Sequence, residues 1–276
     1  MLSSSSRTRS FVLFGPPSLT RSPMEARLIE RGRLAFETDR AYLPATERAM
    51  REFYILVGAT LLSNTALLAF LAWAYRSPRF QSRRIELGAP MKVSKAARLK
   101  NMATSAVLSL AVVLGSTFFL YEALFTEAAT AWWVVVLQGL AILVVYDWTY
   151  YALHRGMHHK KLMRWVHGVH HRARNPSALE SFYLHPLELL AGLGLLVFST
   201  WVTSLVAAVH VYAFAAAFFV YSTLNIVIHS GLDFGHPLLW PVDFLTKKHH
   251  VHHRNDFSKN YASLTPLPDI FFGTAG

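Results

Sequence analysis

The sequence predicts an all-α integral membrane protein of about four or five transmembrane helices, with a cytoplasmic helical cap that holds a histidine-rich dimetal site. Three observations carry this reading. The 276 residues are 53% hydrophobic and only 16% charged. The apolar residues fall in long uncharged runs rather than in a soluble amphipathic pattern. All 14 histidines lie between His154 and His253. A chain this apolar is not disordered, and the absence of Cys excludes disulfide scaffolds, Fe–S clusters and thiolate chemistry. The net charge of +11 could suggest nucleic acid, but uncharged runs between basic loops assign it to a membrane surface, so no nucleic-acid partner is expected.

Taken in order, residues 1–52 read as an N-terminal extension, partly disordered or interfacial, and residues 53–276 as the membrane domain. The first 23 residues are rich in Ser and Arg and have no acid before Glu25; a transit peptide and a start codon upstream of Met24 both fit. Residues 53–75, 102–121 and 128–146 carry no charge over 23, 20 and 19 positions, each long enough for a hydrocarbon core of about 30 Å. Residues 189–228 are uncharged over 40 positions, about 60 Å of helix, so they should fold as a two-span hairpin. The turn is expected at 199–204, where Ser-Thr-Trp-Val-Thr-Ser interrupts the Leu/Ala/Phe composition. A soluble helical core is the plainer reading of such runs, but these exceed the usual buried helix.

The loop 76–100 holds eight Lys/Arg and one Glu, whereas 122–130 holds two Glu and no base, which places the first loop in the cytoplasm and the second outside. The third span then returns to the cytoplasm at His154, and every His-rich segment meets on that side. The nine Lys/Arg of residues 1–52 oppose this count, unless the six acids there blunt the signal or the first run does not fully cross.

The histidines carry the chemistry. Ten of them form three clusters, at His154/His158/His159, His167/His170/His171 and His249/His250/His252/His253, while His185, His210, His229 and His236 stand apart. Residues four apart share a helix face, so His154 with His158 and His167 with His171 can each aim at one ion. In H-x-x-H-H the adjacent pair diverges, so His170 and His171 can reach two ions from one helix. The number of imidazoles suits two ions rather than one, and imidazole accepts Fe, Zn, Cu or Ni alike. A metal- or proton-handling transporter also places His at membrane depth, but within the runs only His210 would line a path, with Asp147 at the end of one.

The order Asp147-Trp-Thr-Tyr-Tyr-Ala-Leu-His154-Arg-Gly-Met-His158-His159, then Trp165-Val-His167-Gly-Val-His170-His171, resembles the first two histidine boxes of the fatty acid hydroxylase/sterol desaturase superfamily. Ser181-Phe-Tyr-Leu-His185-Pro-Leu-Glu188 is similar to its His-Pro-x-Glu element, and Asn225-Ile-Val-Ile-His229-Ser-Gly-Leu-Asp233-Phe to the methylsterol oxidase and sterol desaturase branch. His249-His250-Val-His252-His253, Asn260-Tyr261 and Phe272-Gly273-Thr274 resemble the third box and C-terminal signature. The resemblance runs from about residue 103 to the end.

It implies a membrane-bound, O₂-dependent, non-haem di-iron oxidoreductase that hydroxylates or desaturates a lipid, either a sterol or an acyl chain. Carried over, the metal residues are His154, His158, His167, His170, His171, His229, His249, His252 and His253, with two iron ions as cofactor, Zn an alternative in purified material and O₂ as co-substrate. Some relatives have two histidines where this chain has Asn225 and His229, leaving Asn225, His185 or a water to complete one coordination sphere. Asp147, two turns from His154, either orients a ligand imidazole or a neighbouring Tyr, or is an interfacial acid paired with Arg or Lys. No Cys, Gly-rich dinucleotide fingerprint or His before residue 154 supplies electrons, so a separate reductase, ferredoxin or cytochrome is implied; the basic loops suit an acidic carrier or anionic headgroups equally. The lipid should enter from the bilayer through an apolar passage walled by residues such as Trp148, Tyr151, Phe182, Phe219, Tyr221 and Leu224, with Leu238, Leu239, Trp240 and Phe244 as an interfacial gate.

Overall fold

A computed structural model describes residues 45–85, 91, 93–254 and 257–276; residues 1–44, most of the expected extension, lie outside the described residues. Five helices are long and apolar enough to cross a membrane: α1 (Ala45–Arg76, whose apolar part is Met50–Arg76), α2 (Lys95–Phe119), α3 (Trp132–Met157), α4 (Pro186–Ser204) and α5 (Val211–Ile228). The chain is thus a multi-pass membrane protein. The apolar part of α1 alone reaches about 40 Å. Their outward faces stay apolar, with Leu62, Val107, Phe119 and Trp132 all more than two-thirds exposed, as suits a helix bundle whose solvent is lipid. A polar clasp ties α1 to α5 inside the bundle: Asn64 Nδ2 donates to Ser222 Oγ at 2.7 Å and Thr223 Oγ1 donates to Asn64 Oδ1 at 2.9 Å.

The hairpin turn falls later than the composition suggested. Residues 199–204 belong to α4, because each hydroxyl returns its hydrogen bond to the helix's own backbone: Ser199 Oγ to the Leu195 carbonyl, Thr200 Oγ1 to Leu196, Thr203 Oγ1 to Ser199 and Ser204 Oγ to Trp201. Self-satisfied hydroxyls cost a membrane helix little. The chain turns instead at 205–210. There Val209–His210 pairs in parallel with Phe125–Thr126, and Gln138 bridges the turn by donating to the Ala208 carbonyl and accepting from His210 N. His210 therefore lies between spans, capping α5 through its acceptance of Tyr212 N–H, and not within one.

α3 packs against both α4 and α5. At the opposite end from the Gln138 turn, the end of α3, the start of α4 and the end of α5 meet a cap made of residues 158–182, α6 (Trp240–Arg254) and α7 (Leu267–Phe271). Polar and apolar burial separate along the molecule. Phe53, Ile142, Tyr146, Leu196 and Phe214 fill the bundle, while the cap buries His167, His252, His253, Asn260 and Asp269 almost completely.

Candidate metal centre

Each cap histidine is delivered by a helix end. His154 stands in the last turn of α3 and His158 caps it, so they share a face. The following segment contains a π-helical turn at Met163–His167, closed by the Gly168 N–H donating to the Met163 carbonyl. A Cβ at residue 168 would collide with that carbonyl, so the widened turn that aims His167 inward requires glycine. His229 caps α5, and His249, His252 and His253 occupy the last turns of α6.

These nine imidazoles sort into two groups. His154, His158, His167, His171 and His252 form one, and His170, His229, His249 and His253 the other; within each, the candidate ligand nitrogens all lie within 4.8 Å of one another. In the first, Nε2 atoms of His154 and His167 are 3.0 Å apart, His154 and His252 3.1 Å, and His167 and His171 2.9 Å. In the second, His170–His229 is 3.2 Å, His229–His249 2.9 Å and His249–His253 3.0 Å.

These short contacts are not hydrogen bonds between neutral rings. His154, His252, His170, His229 and His253 each place Nδ1 against a backbone carbonyl, of Tyr261, Lys259, Tyr183, Asn225 and Ala173 respectively, at 2.6–3.0 Å. His167 Nδ1 meets Glu188 Oε1 at 2.8 Å. A carbonyl only accepts, so the proton sits on Nδ1 and Nε2 presents a bare lone pair. Three rings in each group are fixed in this way. Protonating the rings is no escape: burial and neighbouring imidazoles push His158 and His229 down to about 3, burial alone does the same to His167, and His171, His249, His252 and His253 are also depressed. Converging lone pairs without protons fit a cation, and carbonyl-anchored imidazoles are the orienting shell that metal sites use. The donor set fits one transition-metal ion per group.

Residues 139–274, which contain all nine histidines, match the family model described as fatty acid hydroxylase. Over this segment the chain is similar to that family. Curated relatives include methylsterol monooxygenase 1 of Rattus norvegicus, 32% identical over 150 residues (54% of this chain and 50% of the relative), and of Gallus gallus, 34% over 151 (54% and 49%). The very-long-chain aldehyde decarbonylase GL1-11 of Oryza sativa subsp. indica is 34% identical over 151 residues (52% and 54%). The chain spans about half the length of the curated relatives it matches. No solved structure matches it.

Within the matched segment and the few residues after it, a C-terminal clasp holds the five-histidine group. Asp147 does not touch an imidazole; its carboxylate accepts from Leu264 N, Thr265 N and Thr265 Oγ1 at 2.6–3.0 Å. It therefore acts on His154 through the segment that carries the Tyr261 carbonyl. Buried Lys248 ties the same segment down, pairing with Asp269 at 2.9 Å and donating to the Ala262 carbonyl. Asp269 in turn accepts from Tyr261 N and Ala262 N. Asn260, at φ +59°, bonds the Lys248 carbonyl and both main-chain groups of Gly276. Carbonyl acceptors leave no side-chain signature, so spacing could not have named these supports. Glu188 was visible in its motif, but its partner His167 was not.

Of the other expected residues, His185 caps α4 by accepting from Leu187 N, outside both groups. Asn225 serves His229 through its carbonyl, and its side chain lines a cavity. His159 and His236 are exposed, and His250 is buried but in neither group. The cavity, about 90 Å³, lies between α3, α4 and α5 and is lined by Tyr146, Phe182, Leu193 and Tyr221 beside His170 and His229. Of the expected passage walls it includes Phe182 and Tyr221. Trp148 and Tyr151 pack on Phe272 instead, and Phe219 is exposed on the bundle's outer face.

Proposed function

We propose that this chain is a membrane-bound, O₂-dependent lipid oxidoreductase that hydroxylates or desaturates a sterol or acyl-chain substrate with two iron ions, one in each histidine group. The observation that carries the proposal is the pair of all-imidazole groups with proton-free Nε2 atoms turned inward. The names of the relatives support the substrate class: methylsterol for some, very-long-chain aldehyde for others.

An unactivated C–H bond offers no acidic proton and no leaving group, so acid–base side chains alone cannot open it. The metals, when bound, supply the O₂-activating redox chemistry. The nine histidines would hold them; Glu188 and the five carbonyls keep six of the rings aimed. Tyr146, Phe182, Leu193 and Tyr221 line the cavity beside the four-histidine group and offer ring and aliphatic contacts to an apolar segment. At about 90 Å³, well under the roughly 300–1,000 Å³ of a whole-ligand pocket, the cavity takes only the reacting part of a lipid, the rest staying in the bilayer. Hydroxylation puts one oxygen atom of O₂ on carbon and reduces the other to water; desaturation removes two hydrogens and reduces both atoms to water. Both consume two electrons and two protons. The electrons come from a separate reductase, ferredoxin or cytochrome at the cytoplasmic face, where the basic 76–100 loop supports placing the cap.

The test is purification with metal analysis, followed by lipid mass spectrometry of cells with and without the chain. About two irons per chain, O₂-dependent product and a lipid gaining one oxygen or losing two hydrogens is the expected result. An alkane made from an aldehyde would redirect the reading to decarbonylation. Metal flux across vesicles without lipid turnover would replace it with a transporter.

A further inference from the structure

Four arginines converge on a second pocket, at the membrane-facing edge of the cap. The pocket is about 230 Å³ and is lined by Arg76 at the end of α1, Arg98 in the first turn of α2, and Arg172, Arg174 and Asn175 from the loop after His171, with Glu180 at its wall. Arg76 and Arg98 flank spans, as a topology signal would place them. Arg172 and Arg174 come from a loop nearly one hundred positions later, and topology alone gives them no reason to face the same cavity.

The charges do not balance. Glu180 is buried and fully engaged: it pairs with the Arg98 guanidinium, and its other oxygen accepts from Ser177 N and Oγ at 2.8 and 2.6 Å. Among the described residues, four guanidinium groups against one carboxylate leave +3. The guanidinium groups of Arg76, Arg172 and Arg174 have no ion-pair or hydrogen-bond partner among the described residues. Asn175 Oδ1 is likewise buried without a partner, and turning its amide over would present Nδ2 as a donor. Planar forks and an amide donor around one cavity match the several acceptor oxygens of a phosphate. The pocket sits at the ends of two spans, at the depth of lipid headgroups, where basic recesses between helices capture anionic lipids.

We propose that this pocket binds the phosphate of an anionic phospholipid headgroup. The site is separate from the substrate cavity beside His170 and His229, and the inference does not depend on lipid oxidation. The loop that carries Arg172 and Arg174 also gives the Ala173 carbonyl to His253 Nδ1, so metal content reports whether that loop still folds in a variant.

The test places the full chain in nanodiscs of phosphatidylcholine with or without phosphatidic acid and counts retained lipids by native mass spectrometry. Expected is one phosphatidic acid per chain, bound at least about tenfold more weakly by R172Q/R174Q, with metal content unchanged and millimolar inorganic phosphate unable to displace it. Arg76→Gln, at a different element, must weaken binding in the same direction, which guards against a loop that fails to fold. If inorganic phosphate binds in phosphatidylcholine nanodiscs and competes through the same arginines, the anion site stands and its occupant is free phosphate. Equal retention of phosphatidic acid by wild type and both variants, or no preference over phosphatidylcholine, overturns the proposal. So does a variant that loses only the docking of an acidic carrier protein while no phosphate-bearing ligand ever binds.

Discussion

The two histidine groups share one ligand chemistry and differ in what surrounds them. The five-histidine group is closed over by the C-terminal clasp, with Tyr261 and Lys259 carbonyls on His154 and His252 and Phe257 and Tyr261 rings against His158. The four-histidine group has one imidazole fewer, and two of its members, His170 and His229, form part of the wall of the cavity between α3, α4 and α5. An ion with fewer protein ligands beside a cavity has room for small molecules; one with five has little. The difference assigns retention to the first group and substrate contact to the second, on the reading of both as metal sites.

The largest expected effect tests this asymmetry directly. His229→Ala leaves three imidazoles in its group, so metal content should fall from about two per chain toward one and turnover should vanish. His158→Ala leaves four, and its ring is only half buried, so both metals should be retained. Metal analysis of the two variants side by side decides the matter; equal losses would erase the distinction.

Acid should strip both groups. The rings of His158, His167 and His229 ionise near 3 when folded against 6.5 unfolded. Above about pH 6.5 neither state is protonated and nothing is lost. As the pH falls toward 3, the unfolded chain takes up protons that the buried rings of the folded chain refuse, and stability drops with it, releasing the metals. Metal content titrated from pH 8 to 4 should be flat at first and then fall steeply below about 6.5.

Filling the cavity should separate metal binding from turnover. Leu193→Trp is expected to cut turnover at least about tenfold with both metals kept, because it blocks only the space beside His170 and His229. Full activity on every lipid tested would deny the cavity its role. Glu188→Gln should act more mildly and on the other group, weakening metal affinity by about ten- to a hundredfold through loss of the His167 anchor; chelator titration would show it. Phe219→Trp sets the baseline, since this side chain faces outward, and no change in product profile is expected.

Much of this architecture was legible from the chain alone, for reasons that are local. A bilayer of fixed thickness selects uncharged runs of matching length, and the runs at 53–75, 102–121 and 128–146 became α1, α2 and α3. Four-residue spacing puts two side chains on one helix face wherever the helix goes, and the structure keeps His154 with His158, His167 with His171, and His249 with His253. Adjacent His170 and His171 point into different groups, as a helix requires of neighbours.

What tertiary structure decided is everything that joins distant segments. Helical spacing could not say that His252 joins His154 while His249 and His253 join His229, since this depends on the angle at which α6 meets α3 and α5. Asp147 took Leu264 and Thr265 as partners rather than an imidazole because the C-terminal segment, about 120 positions away, folds over the end of α3. The hairpin turn moved past residue 204 because Ser and Thr hydroxyls can satisfy themselves within a helix, so their polarity is no evidence of a turn. Carbonyl acceptors belong to every residue alike, and only the path of the folded chain picks out Ala173, Tyr183, Lys259 and Tyr261 to aim the rings.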